Sequence, residues 1–218
     1  MELFSVMKQI ASGFGSTLII FFFTLLFSMP LGILVALGRM SKFKPLSLLI
    51  QAIISILRGT PLMLQLIVVF YGPYYLFGIK LSSNWRLIAT LIGFSINYAA
   101  YFAEIFRAGI QSIPVGQTEA ATVLGYTKTQ TFLKIIFPQM VKRTIPPVTN
   151  EVITLVKDTS LASAIGTVEM FTKAKQIAVS PRSPGMLTFL VAGVFYFVFN
   201  AIVAFVMKRI EKALSYYD

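Results

Sequence analysis

The chain of 218 residues contains no cysteine and no histidine. The first absence excludes disulfides and thiolate chemistry; the second removes the commonest metal ligand and proton shuttle. Charge is also scarce, with Asp, Glu, Lys and Arg making up 12% of the residues, about half the usual globular share. Acids are fewest, 8 against 19 Lys and Arg, for a formal net charge of +11. No Gly-x4-Gly-Lys-Ser/Thr phosphate loop occurs, so ATP has no binding loop of that kind here. His-Glu-x-x-His and Gly-x-Ser-x-Gly are missing too, and no catalytic constellation or metal site is expected.

What is present is apolar: 56% of the chain is hydrophobic. A hydrocarbon core of about 30 Å needs roughly 20 helical residues. Segments of that kind predict an all-α membrane protein with a single transmembrane domain over 1–218 and five transmembrane helices, at about 16–38, 59–79, 87–107, 144–165 and 186–207. Pro30 and Gly32 interrupt the first mildly. Arg58-Gly59-Thr60-Pro61 divides a stretch too long for one upright span, which places a short interfacial helix before Arg58. The segment 144–165 is the most polar, containing Glu151, Lys157 and Asp158. The apolar run after Lys8 continues to Gly38, too long for the core of a cleavable signal peptide.

The basic residues do not gather into a nucleic-acid recognition tract; they fall at the ends of apolar segments. Five spans put the termini on opposite sides. With the loop after Gly38 inside, Lys and Arg are roughly twice as frequent inside as outside, where Lys8, Lys80, Arg86, Lys173, Lys175 and Arg182 fall. That bias predicts an external N-terminus, a cytoplasmic C-terminus and a cytoplasmic loop at about 108–143.

The loop contains Glu119-Ala120-Ala121-Thr122-Val123-Leu124-Gly125, with Pro138 further on. Glu119 is expected at the start of a short helix, where a carboxylate favours the dipole, with Gly125 ending it and Pro138 closing a second helix. The motif Glu119-Ala120-Ala121-x3-Gly125-x9-Ile135-x2-Pro138 resembles the EAA loop of ABC importer permeases. Gly116-Gln117 and Gln139 resemble the amino-acid branch of that family. So do Gly13-x3-Thr17-Leu18, Arg58-Gly59-Thr60-Pro61-Leu62-x2-Gln65, Ala100-Tyr101-x-Ala103-Glu104-Ile105-x-Arg107-Ala108-Gly109-Ile110 and Lys157-Asp158-Thr159-Ser160-Leu161. Phe137 departs from the Leu more usual there.

The resemblance implies the type I importer permease fold and a polar amino-acid permease of the histidine, arginine and glutamine kind in the bacterial cytoplasmic membrane. It also implies a second permease subunit, identical or homologous, two copies of an ABC ATPase that use ATP and Mg, and an extracellular or periplasmic solute-binding protein. Glu119, Ala120, Ala121, Gly125 and Pro138 would make the ATPase contact. This chain itself is expected to bind no cofactor, no nucleic acid and only lipid besides these partners.

Charges inside a span cost on the order of 2.5–3.5 kcal/mol each, so they face a cavity or a partner. At about 1.5 Å per residue, Glu151 lies roughly 12 Å from Arg143 and Asp158 roughly 22 Å. Asn97 lies roughly 15 Å from Arg107, and Glu104 about 5 Å. Glu151, Thr154 and Asp158 share one helical face, as do Asn97, Tyr101 and Glu104. These faces, with Tyr98, form the candidate substrate site: Glu151 for an ammonium or a basic side chain, Asn97 for amide hydrogen bonds, a tyrosine for a cation. The alternatives are that Glu151 pairs with Lys157 or with a partner, and that Arg58 is a boundary residue reaching the headgroups. An acidic midplane points to a basic cargo. A neutral polar amino acid such as glutamine or cystine is the alternative, and an ion- or proton-coupled carrier or channel is the reading from a different class.

Overall fold

A computed structural model describes residues 3–82, 84–181 and 185–214; Arg182 of the predicted outer loop lies outside the described residues. The described residues are helical, without strands. In chain order the helices are α1 (Leu3–Ala11), α2 (Phe14–Arg39), α3 (Lys44–Gly59), α4 (Leu62–Phe77), α5 (Trp85–Gln111), α6 (Val115–Val123), α7 (Lys128–Thr131), α8 (Phe137–Asp158), α9 (Met170–Ala178) and α10 (Met186–Leu214). A π turn at Phe132–Ile136 joins α7 to α8, and a 3-10 turn at Thr159–Ile165 continues α8.

Length and apolarity mark three crossings: Leu3–Arg39, Trp85–Gln111 and Met186–Leu214. There are four if the α3–α4 pair, bent by 109° at its break, counts as one. The predicted span 144–165 coincides with the second part of α8 and its 3-10 continuation, but its charges keep it below that standard.

α5 is the central helix. Of its most apolar 18-residue stretch 61% is buried, against 17% for α10, which leaves most of its surface to lipid or a partner. Along α5 the aromatic rings of Phe94, Tyr98, Phe102 and Phe106 recur every four residues, each 6.0–6.5 Å from the next, and form the spine of the core. α2 packs against it closely because Gly32 has no side chain. A Cβ there would stand 2.8 Å from Cβ of Phe102 and 3.3 Å from backbone atoms of Ala99 and Ala103. Small residues at such crossings let membrane helices approach. Pro30 does not break α2, which runs through it.

The chain between α5 and α8 corrects the expected loop. Glu119 stands in the middle of α6, which begins four residues earlier after Pro114, so its carboxylate is not at the helix start. Gly125 does end this helix: at φ +78° it lets Tyr126 N–H reach the Ala121 carbonyl and its own N–H reach Thr122. Pro138 does not close a helix. It lies in the first turn of α8, directly after the π turn, whose wider winding leaves room for a ring that has no N–H to give. α7 is opened by a capping box between Thr127 and Gln130.

A second, smaller core joins α1, α9 and the start of α10 through Val6, Ile10, Met170, Ala174, Ile177 and Ala192. Its polar centre is Glu169, fully buried ahead of α9. Its carboxylate accepts from Phe171 N–H at 2.6 Å, Thr172 N–H at 2.7 Å, Thr172 Oγ1 at 2.9 Å and Tyr196 Oη at 2.7 Å. Gly13, at the α1–α2 bend, lies so close that a Cβ would stand 2.8 Å from the Glu169 carbonyl, and Thr17 Oγ1 accepts from Met170 N–H at 3.3 Å. Gly13 and Thr17 of the sequence motif therefore both clasp α9.

Gly32→Leu should force α2 and α5 apart and cost about 1–3 kcal/mol, read as a lowered Tm in detergent, with Gly32→Ala intermediate. Burial raises the Glu169 carboxyl above the ordinary glutamate range, and its four donors offset only part of that. A raised pKa gives stability that is present at low pH and lost as pH rises through the folded value. The Tm of the native protein minus that of Glu169→Gln should therefore fall between pH 4 and pH 8; a constant or growing difference would show that the donors outweigh burial.

Candidate functional site

The break between α3 and α4 positions the site. Helix ends leave backbone carbonyls unpaired, a cost lipid cannot relieve. Gln65 on α4 meets it: its Nε2 lies 2.7 Å from the Leu57 carbonyl, 3.1 Å from the Thr60 carbonyl and 2.8 Å from Thr60 Oγ1. Asn97 of α5, buried, donates Nδ2 to Gln65 Oε1 at 3.0 Å and to the Leu57 carbonyl at 3.2 Å. Both amide hydrogens of Asn97 are thus directed at the break.

Beside this brace, α3, α5 and α8 line an open cavity of about 470 Å³. Arg58, Tyr101, Glu104, Arg107, Arg143 and Glu151 supply its polar and aromatic lining. Of the predicted site residues it brings together Tyr101, Glu104 and Glu151. Asn97, Tyr98, Thr154 and Asp158 are not among its lining residues.

Their partners account for two of these. Tyr98, fully enclosed in the core, donates its hydroxyl to Asp158 Oδ2 at 2.7 Å, joining α5 to the end of α8. Glu104 Oε2 accepts from Arg107 Nη2 at 2.7 Å and Nε at 3.1 Å, an ion pair one helical turn long, and Arg107 Nη1 donates onward to Gln111 at 2.6 Å. Thr154 is half-buried on α8.

Two charges remain unspent. Glu151, half-buried, makes no hydrogen bond or ion pair among the described residues, and Lys157 is turned to the exposed surface rather than to it. Arg58 makes no ion pair either; its guanidinium lies 5.2 Å from the centre of the Tyr101 ring. Arg58 and Glu151 line the same cavity. A free guanidinium, a free carboxylate and an aromatic face around one cavity match a small molecule carrying both a carboxylate and an ammonium.

Sequence reading took Arg58 as a boundary residue and did not place it among the site residues; it is exposed and lines the cavity. The available signal was the break itself, since irregular backbone at membrane depth occurs where it lines a cavity. Arg143 carried no such signal. It donates to a carbonyl far away in the chain, at Ser112.

The residues of α6 and its C-terminal end differ sharply in exposure. Ala121 is 1% exposed, whereas Val115, Val123 and Leu124 are 72%, 87% and 74% exposed and Glu119 stands among them on the surface. α6 thus holds to the bundle by one alanine and presents an apolar rim around a carboxylate, as a docking element does.

A family model described as the binding-protein-dependent transport system inner membrane component matches residues 28–216. The chain is 36% identical over 208 residues to the L-cystine transport system permease protein TcyB of Bacillus subtilis (strain 168), covering 95% of this chain and 87% of that protein. It is 34% identical over 209 residues to the arginine transport system permease protein ArtQ of the same organism, covering 96% and 94%. A solved structure of an amino acid ABC transporter with histidines superposes with a TM-score of 0.84 at 31% identity, over 98% of this chain and 99% of that chain. With its type I importer permease fold, the chain belongs to the family of binding-protein-dependent inner membrane transport components, among the amino-acid ABC transporter permeases.

Proposed function

We propose that this chain is one of two permease subunits through which an ATP-driven importer moves a polar amino acid into the cell by alternating access. The observation that carries the substrate class is the pairing of unspent Arg58 and Glu151 across the Tyr101 cavity. Arg58 takes the α-carboxylate, and Glu151 takes an ammonium or a basic side chain. α8 and its 3-10 continuation complete five crossings, with the N-terminus outside and the C-terminus in the cytoplasm, where α6 meets the ATPase. The second permease is identical or homologous. Two ATPase copies hydrolyse MgATP, and an external solute-binding protein delivers the cargo.

A basic amino acid is the reading that Glu151 supports. The cavity's own balance supports a neutral cargo such as glutamine or cystine just as well: Glu104 is neutralised by Arg107, and three guanidiniums line the cavity against two carboxylates.

The complex reconstituted in proteoliposomes, given labelled arginine, glutamine and cystine, separates the two. If the cargo is basic, Glu151→Gln lowers arginine uptake by about tenfold or more, a loss of about 1.4 kcal/mol. Undiminished arginine uptake removes Glu151 from the site. Whichever the cargo, Arg58→Gln should raise the KM for every transported amino acid by a similar factor, because all carry the α-carboxylate. Glu119→Lys should abolish co-purification of the ATPase, or uptake driven by it, while leaving the permease folded by its Tm; retention of both would remove α6 from the contact.

A further inference from the structure

α6 moves nothing unless its displacement reaches the cavity. Ser112 ends α5, and Pro114, two residues on, opens α6. The Ser112 carbonyl is one of the acceptors that a helix leaves unpaired at its C-terminus. Arg143 of α8 donates Nη1 to it and, at 3.1 Å, to Ser112 Oγ, which itself donates to the Gly109 carbonyl at 2.7 Å. A cation is favoured there by the helix dipole as well. One residue along α8, Thr144 lies against Gly109: a Cβ on that glycine would collide with Thr144 Cγ2 and stand 3.3 Å from Met140. Side chains of α8 therefore pack directly on the α5 backbone at Gly109, where Arg143 reaches across, and Glu151 stands eight residues further along α8, about 12 Å away.

Contact alone lets two helices slide. A charge-assisted bond at the root of α6 does not, because movement of Pro114 carries the Ser112 carbonyl with it. We propose that Arg143 is a positioning residue that transmits displacement of α6 to α8, and so to the wall of the cavity that carries Glu151. The proposal rests on the reading of α6 as the ATPase contact.

The test uses the full complex in proteoliposomes, with the binding protein loaded with L-arginine, L-glutamine or L-cystine. The readout is the fold stimulation of ATP hydrolysis by the loaded binding protein, per assembled complex. That signal crosses the permease and is insensitive to how much of it folds. Arg143→Met, similar in length but without donors, should reduce stimulation at least about fivefold, and Arg143→Lys, which still donates to the Ser112 carbonyl, should keep half or more. Full stimulation in Arg143→Met, or an equal loss in Arg143→Lys, overturns the proposal alone. A native complex that no loaded binding protein stimulates overturns the reading of α6 and the proposal with it. If Arg143→Met does not assemble, Ser112→Cys with Arg143→Cys replaces it, since the chain has no other cysteine. A short bis-maleimide bridge should then restore the stimulation that the unbridged pair lacks, and failure to restore it overturns the proposal.

Discussion

The break at Arg58–Pro61 is the constraint on which the site depends. In lipid every backbone carbonyl needs an internal partner, so a helix that turns through 109° must bring its own. Gln65 and Asn97 do this jointly, one from the following helix and one from the central helix. The consequence reaches beyond satisfaction of hydrogen bonds. Tying Leu57 to α5 fixes where α3 ends, and Arg58 is the next residue. A polar brace inside the bundle thus aims a guanidinium that forms no ion pair among the described residues.

The remaining charges divide by the same logic. An ionised group in a low-dielectric interior persists when it is paired or faces a polar space. Asp158 has Tyr98, and Glu104 has Arg107. Those two pairs lock α5 to α8 and stiffen the last turns of α5. Glu151 lacks such a partner and faces the cavity instead. A carboxylate without a partner is costly to fold around, and that cost is accounted for if a cationic group arrives during transport.

Much of the architecture could be read from the chain. The apolar spacing located α2, α5 and α10, and Arg58-Gly59-Thr60-Pro61 marked the break with a helix on each side. The EAA spacing located α6, and Gly125 its end, because a positive φ is a local demand that only glycine meets cheaply. Errors arose where a residue's setting comes from elsewhere. Pro138 reads locally as a stop, but the preceding π turn absorbs it. Helical periodicity put Asn97, Tyr101 and Glu104 on one face, yet only Tyr101 and Glu104 line the cavity, and periodicity could not say that Asn97 is occupied by Gln65 or that Arg107 neutralises Glu104. Periodicity gives direction; it does not give occupancy. The span expected over α8 is likewise not marked by apolarity, because Glu151, Lys157 and Asp158 lie within it.

The weak hold of α6 on the bundle follows from the same division of labour. A helix attached by Ala121 alone can be gripped by another protein without first breaking a core, and its exposed Val115, Val123 and Leu124 supply area for that grip. Such an attachment transmits little force by itself, since one buried methyl resists no sliding. Force has to pass through the ends of the helix. Toward α7 the connection turns at Gly125, a flexible residue; toward α5 it passes Pro114 and the Ser112 carbonyl, which Arg143 holds. The stiff route therefore leads to α8, and α8 carries both the unpaired Glu151 and, through Asp158, the tie to Tyr98. A displacement of α6 that tilted α8 would change the cavity and load the Tyr98–Asp158 bond together, so one movement of a two-state bundle would act on both.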